Sequence, residues 1–299
     1  MNKAILLGLL SSLFFAATFV LNRSMALSGG DAWWSAALRF VFMLPMLYLL
    51  LGARNNKSAV YREIQRAPKP WLLWSSVGFG LFYLPLTLSA DYASSWLVAS
   101  SWQITIIAGI LLTPLFGQAI PHKNLFFSCV IVLGILLLQL DNLRTFSISD
   151  SLYPLCLILI AAFAYPLGNR KMMALVGDKL STQQRVYGMV LCSMPFWALS
   201  MLIALAKSGL PSNGQLGQSF LVALFSGVIA TLLFFKATDL VKHNVKQLAV
   251  IEATQAGEIL FTLLGGVLLL NDPMPSGLAF LGLLIVIVGI FINGFTAKD

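Results

Sequence analysis

The sequence predicts an all-α integral membrane protein in which ten transmembrane helices form a 5+5 inverted repeat. Three observations carry this expectation. Of 299 residues, 59% are hydrophobic and 10% are charged, and the mean hydropathy is +0.87, too apolar for a water-soluble chain. Ten apolar stretches tile the chain, each near the length of about 20 residues that crosses a bilayer. A polar string that follows the first stretch recurs after the sixth, with an odd number of spans per repeat.

The first span covers residues 4–21. Lys3 precedes it and no small-residue cleavage site follows before Asn22-Arg23, so it reads as a membrane helix rather than a signal peptide. Spans two and three cover 32–51 and 71–90, and the connection 53–70 leaves room for a short interfacial helix. Spans four and five, 95–116 and 124–140, complete a first five-helix repeat over residues 1–141. An external linker over 142–150 leads to the second repeat, 151–299. Its spans are 152–168, 186–206, 220–235, 247–270 and 276–295, and the longer connection 169–185 again has room for an interfacial helix.

A net charge of +8 would point to nucleic acid in a soluble protein. Here it is a topology signal. With the N-terminus cytoplasmic, 15 of the 19 Lys and Arg fall on inside segments. The positive-inside rule therefore places both termini in the cytoplasm of a bacterial inner-membrane protein, with the lipid bilayer and no nucleic acid as its partner. Cys129, Cys156 and Cys192 lie singly in apolar spans without CxxC spacing, which argues against disulfide, zinc and redox roles. His122 and His243 stand alone, so neither a metal site nor a cofactor is expected.

The repeat is visible in residues 22–31, Asn-Arg-Ser-Met-Ala-Leu-Ser-Gly-Gly-Asp, and 169–178, Asn-Arg-Lys-Met-Met-Ala-Leu-Val-Gly-Asp. Arg39 with Pro45 answers Arg185 with Pro195, and Trp102-Gln103-Ile104 answers Thr254-Gln255-Ala256. Five helices per copy make the copies inverted, and inverted repeats build alternating-access carriers with a site near the midplane. The same stretches carry a family resemblance, together with Phe234-Phe235-Lys236-Ala237-Thr238-Asp239 and Glu252-Ala253-Thr254-Gln255. Over its whole length the chain resembles the multidrug resistance efflux branch of the drug/metabolite transporter superfamily. That resemblance implies secondary transport, with helices 1–4 and 6–9 around a central cavity and helices 5 and 10 peripheral. Relatives elsewhere in the superfamily often carry proline where Gln103 and Gln255 stand, so a break in those two spans is not carried over.

Ionisable groups in the hydrocarbon are functional candidates by default. At 1.5 Å per residue, Glu258 lies roughly 16 Å into span nine, near the midplane, and Glu252 only about 7 Å in. Thr254, Gln255, Glu258 and Thr262 share one face of that span. A carboxyl group there can exchange a proton, as the coupling ion, against a small-molecule cation. Gln103 and Trp102 reach similar depth in span four, and Phe15 and Tyr83 can add to a cation-attracting aromatic wall. Arg39 either snorkels outward or neutralises Glu258, and in the second case amino acids or other metabolites become the alternative substrates. Trp33, Trp34, Trp71, Trp74 and Trp96 sit near span ends, where an anchoring belt is expected. Gly277, Gly282, Gly289 and Gly294 in span ten would permit close helix contact, within the chain or in a homodimer.

The sequence has no GxxxxGK[ST] loop, HExxH or nucleophile elbow, so ATP-driven pumping and the commonest hydrolases are not expected. The reading is a non-enzymatic exporter of small organic cations or drugs by proton exchange. A membrane scaffold or receptor is a minor alternative that would not require a midplane carboxylate between inverted halves.

Overall fold

The computed structural model describes residues 2–52, 57–117, 119–120, 122–145, 148–241, 250–251 and 254–296. Among these the chain is helical, with no strand. Six helices are long and apolar enough to cross a membrane, and four shorter apolar helices accompany them. In chain order, α1 is Asn2–Leu27, α2 is Ala32–Leu51 and α3 is Pro68–Ser89, with a surface helix, Lys57–Arg66, before α3. Next come α4, Ser95–Leu111, α5, His122–Thr145, and α6, Ile148–Val176. Helix α7 is Thr182–Ser208, and α8 runs through Asn213–Val222, Ala223–Ala230 and Thr231–Asp239. Helices α9, Thr254–Leu270, and α10, Gly277–Thr296, close the chain.

Several boundaries differ from the hydropathy reading, and the reason is polar bonding. The apolar run of α1 ends at residue 21, yet the helix continues to Leu27 before Gly29 turns at φ +75°. Asn22 and Arg23 can remain helical because both find partners on α3 and its following turn. Helix α6 likewise carries Asn169 and Arg170 through to Val176, so the connection expected over 169–185 shortens to a single tight turn and a capped start of α7. Ser181 and Gln184 form that cap reciprocally. The linker expected over 142–150 is also mostly helix, with α5 reaching Thr145 and α6 beginning at Ile148.

The packing pairs helices in a recurring pattern. Helix α1 lies against α8 and α9, and α6 lies against α3 and α4. Helix α2 packs on α7, and α5 packs along α10. Close approach relies on glycine where backbones meet. A Cβ on Gly282 would sit 2.8 Å from the Gly134 carbonyl, and one on Gly289 would sit 2.7 Å from Ile131 Cγ1. These two α10 glycines are therefore engaged with α5 inside the chain.

Three of the tryptophans expected in an interfacial belt are buried instead. Trp71 is fully enclosed against Gly188 and Val60. Trp34 and Trp96 turn their indole N–H groups onto the Gly209 and Pro273 carbonyls at 2.8 and 3.0 Å. The first satisfies a carbonyl at the C-terminus of α7, and the second ties α4 to the connection after α9.

Two helices contain wide, π-type turns at corresponding places: Ser76–Gly80 in α3 and Ala223–Ala230 in α8. Such turns are rare and cluster at functional sites. In α4 the ladder tightens at Gln103 and Ile104, whose N–H groups bond three residues back to Ser100 and Ser101. Helix α9 opens with a tight 3-10 turn, Thr254–Ala256. The two helices are thus irregular at Gln103 and Gln255 without proline at either position.

Candidate functional site

The irregular segments of α4 and α9 bring together the residues with most chemical potential. Glu258, on the first turn of regular α helix after Thr254–Ala256, is buried. The Gln103 side chain, from the tightened turn of α4, hydrogen-bonds it. The Gln103 amide nitrogen also donates to the Ala99 carbonyl at 3.2 Å, which fixes its orientation. Among the described residues, Glu258 is the one carboxylate buried in a membrane-length or apolar helix, and no Lys or Arg lies within 4 Å of it.

An aromatic wall stands beside this pair. Trp102, adjacent to Gln103, packs on Phe82 at 5.0 Å and meets Tyr165 of α6 edge-on at 5.7 Å. Phe82 and Tyr165 are 4.8 Å apart. Tyr165 remains 39% exposed although it lies within electrostatic reach of Glu258, Arg39 and Arg185. Around Tyr165 thus stand one carboxylate, two guanidinium groups and the rings of Phe82 and Trp102.

Arg39 does not neutralise Glu258. It donates to Thr18 Oγ1 at 3.2 Å and to Ser226 Oγ at 3.1 Å, and its guanidinium stacks 4.1 Å from the Tyr83 ring centroid. It neither snorkels to a surface nor finds a carboxylate among the described residues, and its Nε has no partner there. Neutral hydroxyls and a π face hold the cation in place of a counter-ion.

The remaining expected residues divide. Tyr83 is fully buried; its hydroxyl accepts from Asn22 at 3.1 Å, so it covers Arg39 rather than lining open space. Thr254 packs on Gly8 of α1 and donates to the Ile251 carbonyl at 2.6 Å, so it faces a helix neighbour. Thr262 is buried with an unpartnered hydroxyl, and Gln255 is half-buried with an unpartnered Nε2. Phe15 is half-buried on α1, where its neighbour Phe14 packs on Phe225 at 5.6 Å. Glu252 lies outside the described residues.

Sequence reasoning passed over Phe82 and Tyr165. For Tyr165 a signal was present, since it stands 147 positions after Thr18, the hydroxyl that Arg39 uses. It also passed over a cluster at one end of the bundle. There Asp272 accepts from the Ser95 backbone N–H at 2.8 Å and its hydroxyl at 2.6 Å, while Arg23 Nε lies 3.5 Å away. Arg23 also donates to the Ala90 carbonyl at 2.8 Å. Beside it, Asp91 in the α3–α4 turn is pushed up to about 6, first by burial, then by the charge of Asp31, with Arg23 opposing.

Helices long and apolar enough to cross a membrane, with a buried carboxylate and an aromatic cluster packed among them, define a multi-pass membrane protein. The family model described as "Putative multidrug resistance efflux transporter" (EmrE) matches residues 2–299, and the chain belongs to that family. It is similar to the Bacillus subtilis protein YjlA, with 47% identity over 99% of this chain and 95% of that one. It is also 43% identical to a 42.1 kDa protein of Shouchella clausii over 86% of this chain and 70% of that one. A solved structure superposes on 100% of the chain and 98% of its own length, with a TM-score of 0.65 at 14% identity, a likeness of fold alone.

Proposed function

We propose that the protein is a secondary active transporter that exports small organic cations by exchanging them for protons at Glu258. The observation that carries this reading is the burial of Glu258 in an irregular helix, hydrogen-bonded by neutral Gln103 and without a cationic partner among the described residues. A carboxyl group so placed is neutral when protonated and needs a counter-charge when it is not. An arriving cation supplies that charge, and Trp102, Phe82 and Tyr165 offer it π faces.

Ten spans in a 5+5 inverted repeat fit this reading. The pairings α1 with α9 and α6 with α4, α1 with α8 and α6 with α3, interconvert when each helix is exchanged for its repeat mate, while α2·α7 and α5·α10 map onto themselves. The two π-type segments and the two tightened turns obey the same exchange. The basic connections then face the cytoplasm and the Asp31, Asp91 and Asp272 turns face outward. A second reading, export of amino acids or similar metabolites, draws on Arg39, whose charge has no carboxylate partner among the described residues and lies within electrostatic reach of Tyr165.

Purified protein in vesicles under an imposed pH gradient tests the assignment. One proton exchanged per monovalent cation gives about tenfold accumulation per pH unit, since each unit is 1.36 kcal/mol. The Glu258→Gln protein should fold yet accumulate nothing in response to the gradient. Full gradient-driven accumulation by that variant would remove Glu258 from the coupling role.

A further inference from the structure

We propose that Arg23, Ser95 and Asp272 form the latch of an outer gate, closed in this structure, whose release opens the substrate space on that side. The inference rests on the transport reading above and concerns the turn that ends α9, together with the ends of α1 and α4.

Asp272 follows Asn271, which ends α9 in the left-handed region at φ +55°. That turn lets the Asp272 N–H return to the Gly266 carbonyl at 3.0 Å and swings its carboxylate across to the other half of the chain. One carboxylate oxygen takes both the N–H and the hydroxyl of Ser95, at the start of α4. The other oxygen faces Arg23 at the end of α1, whose NH1 is held by the Ala90 carbonyl. One second-half residue therefore ties together the ends of α1, α3 and α4. Trp96 adds a bond to Pro273 in the same direction. The pocket for this carboxylate exists because position 266 is glycine; a Cβ there would lie 2.6 Å from Asp272 Oδ2 and overlap Ser95 Oγ.

The strength suits a latch. The Asp272 side chain is 2% exposed, so its charge is held by the Ser95 N–H and hydroxyl and by Arg23 rather than by water. The Arg23 contact, at 3.5 Å, lacks hydrogen-bond geometry at Nε. Opening would hydrate both charges at once, so water replaces much of what the closed state provides.

The opposite end of the bundle differs. Arg170, the repeat mate of Arg23, donates to the Gly109 carbonyl at 2.6 Å and has no carboxylate within 4 Å among the described residues. Asn22 is buried, whereas its mate Asn169, among the described residues, bonds back to Tyr165 within its own helix. Thr18 is 4% exposed and its mate Tyr165 39%. In these three pairs the Asp272 end is the more closed, although Met25 and its mate Met172 are buried alike.

The experiment measures the gate rather than the flux. After the native cysteines at 129, 156 and 192 are changed to serine, spin labels go on Ser28→Cys and Met274→Cys, both exposed at the closed end. Electron–electron distance measurement in lipid should give one short distance for the parent protein at rest. Asp272→Asn and Arg23→Gln should each raise a longer-distance population on the order of tenfold, and Arg170→Gln should leave the distribution unchanged. Unchanged distances in both latch variants, with folding verified by gel filtration, would overturn the proposal. If the latch variants do not fold, the parent protein decides: during gradient-driven transport the label pair must split into two distances. Transport with a single invariant distance refutes the latch and leaves the transport reading standing, whereas a parent protein that moves no solute refutes the transport reading itself.

Discussion

Replacing Gly168 with alanine should destabilise the protein far more than replacing Gly78, although the two glycines touch each other. The new Cβ at 168 would overlap the Gly78 N and Cα and lie 2.9 Å from the Trp74 carbonyl oxygen. All three are backbone atoms of α3, so no side-chain rotation relieves them. At Gly78 the new atom meets Met189 Cε at 3.2 Å, the far end of a flexible side chain, and Gly168 backbone atoms at 3.3 Å. Overpacking of the first kind costs about 1–3 kcal/mol. With about 2–4 °C per kcal/mol, Gly168→Ala should melt at least a few degrees lower. Gly78→Ala should stay within about 1 kcal/mol of the parent, since the methyl group also restricts the unfolded chain. Because Tyr165 lies three residues before Gly168 on the same helix face, the first variant should also perturb solute binding. Thermal unfolding in detergent micelles, followed by helical circular dichroism, measures the stabilities. Equal melting of the two variants, or the reverse order, would refute the packing argument.

Other outcomes follow from the same geometry. Trp102→Ala should weaken binding of a quaternary ammonium probe roughly 2- to 30-fold, from a cation–π contribution of about 0.5–2 kcal/mol, while a neutral probe of equal size changes less; equilibrium dialysis distinguishes them. For Asp91, the folded-state value of about 6 against an ordinary 3.8 means that the folded protein holds this proton more tightly than the unfolded chain. Its contribution is present below about pH 4 and is lost as pH rises through about 6, so Asp91→Asn should flatten that part of a melting-temperature-versus-pH profile; parallel profiles would exclude the effect. Gly282→Leu should cost about 1–3 kcal/mol by forcing α10 from the Gly134 carbonyl. It should leave the oligomeric mass by light scattering unchanged, because that face is used within the chain.

The sequence made the all-helical membrane class and the six membrane-length helices legible because lipid imposes them through composition and length. Helix ends were misread where a polar residue found a bond within the bundle. Asn22 bonds to Tyr83 and Arg23 to Ala90, and no hydropathy window sees those partners. The tightened turns at Gln103 and at Thr254–Ala256 carry neither proline nor a glycine pair, so tertiary packing sets them. Glu258 was legible as an isolated charge in an apolar run. Its partner Gln103 was legible only through the repeat, and Arg39's attachment to Thr18 and Ser226 required the fold. Trp71 was misplaced because its distance from the span end says nothing of the glycine at 188 that makes room for its ring.

The π-type segment Ser76–Gly80 has a consequence for chain length. Such a turn accommodates one residue more than a regular helix while leaving the flanking turns in phase. Deleting one residue there would return α3 to ordinary pitch without rotating Trp71 before it or Tyr83 after it out of the core. The same deletion a turn further on would swing Tyr83 by about 100° and uncover Arg39. The segment is thus a local reserve of one residue, where insertions and deletions can be absorbed in a helix that elsewhere tolerates none.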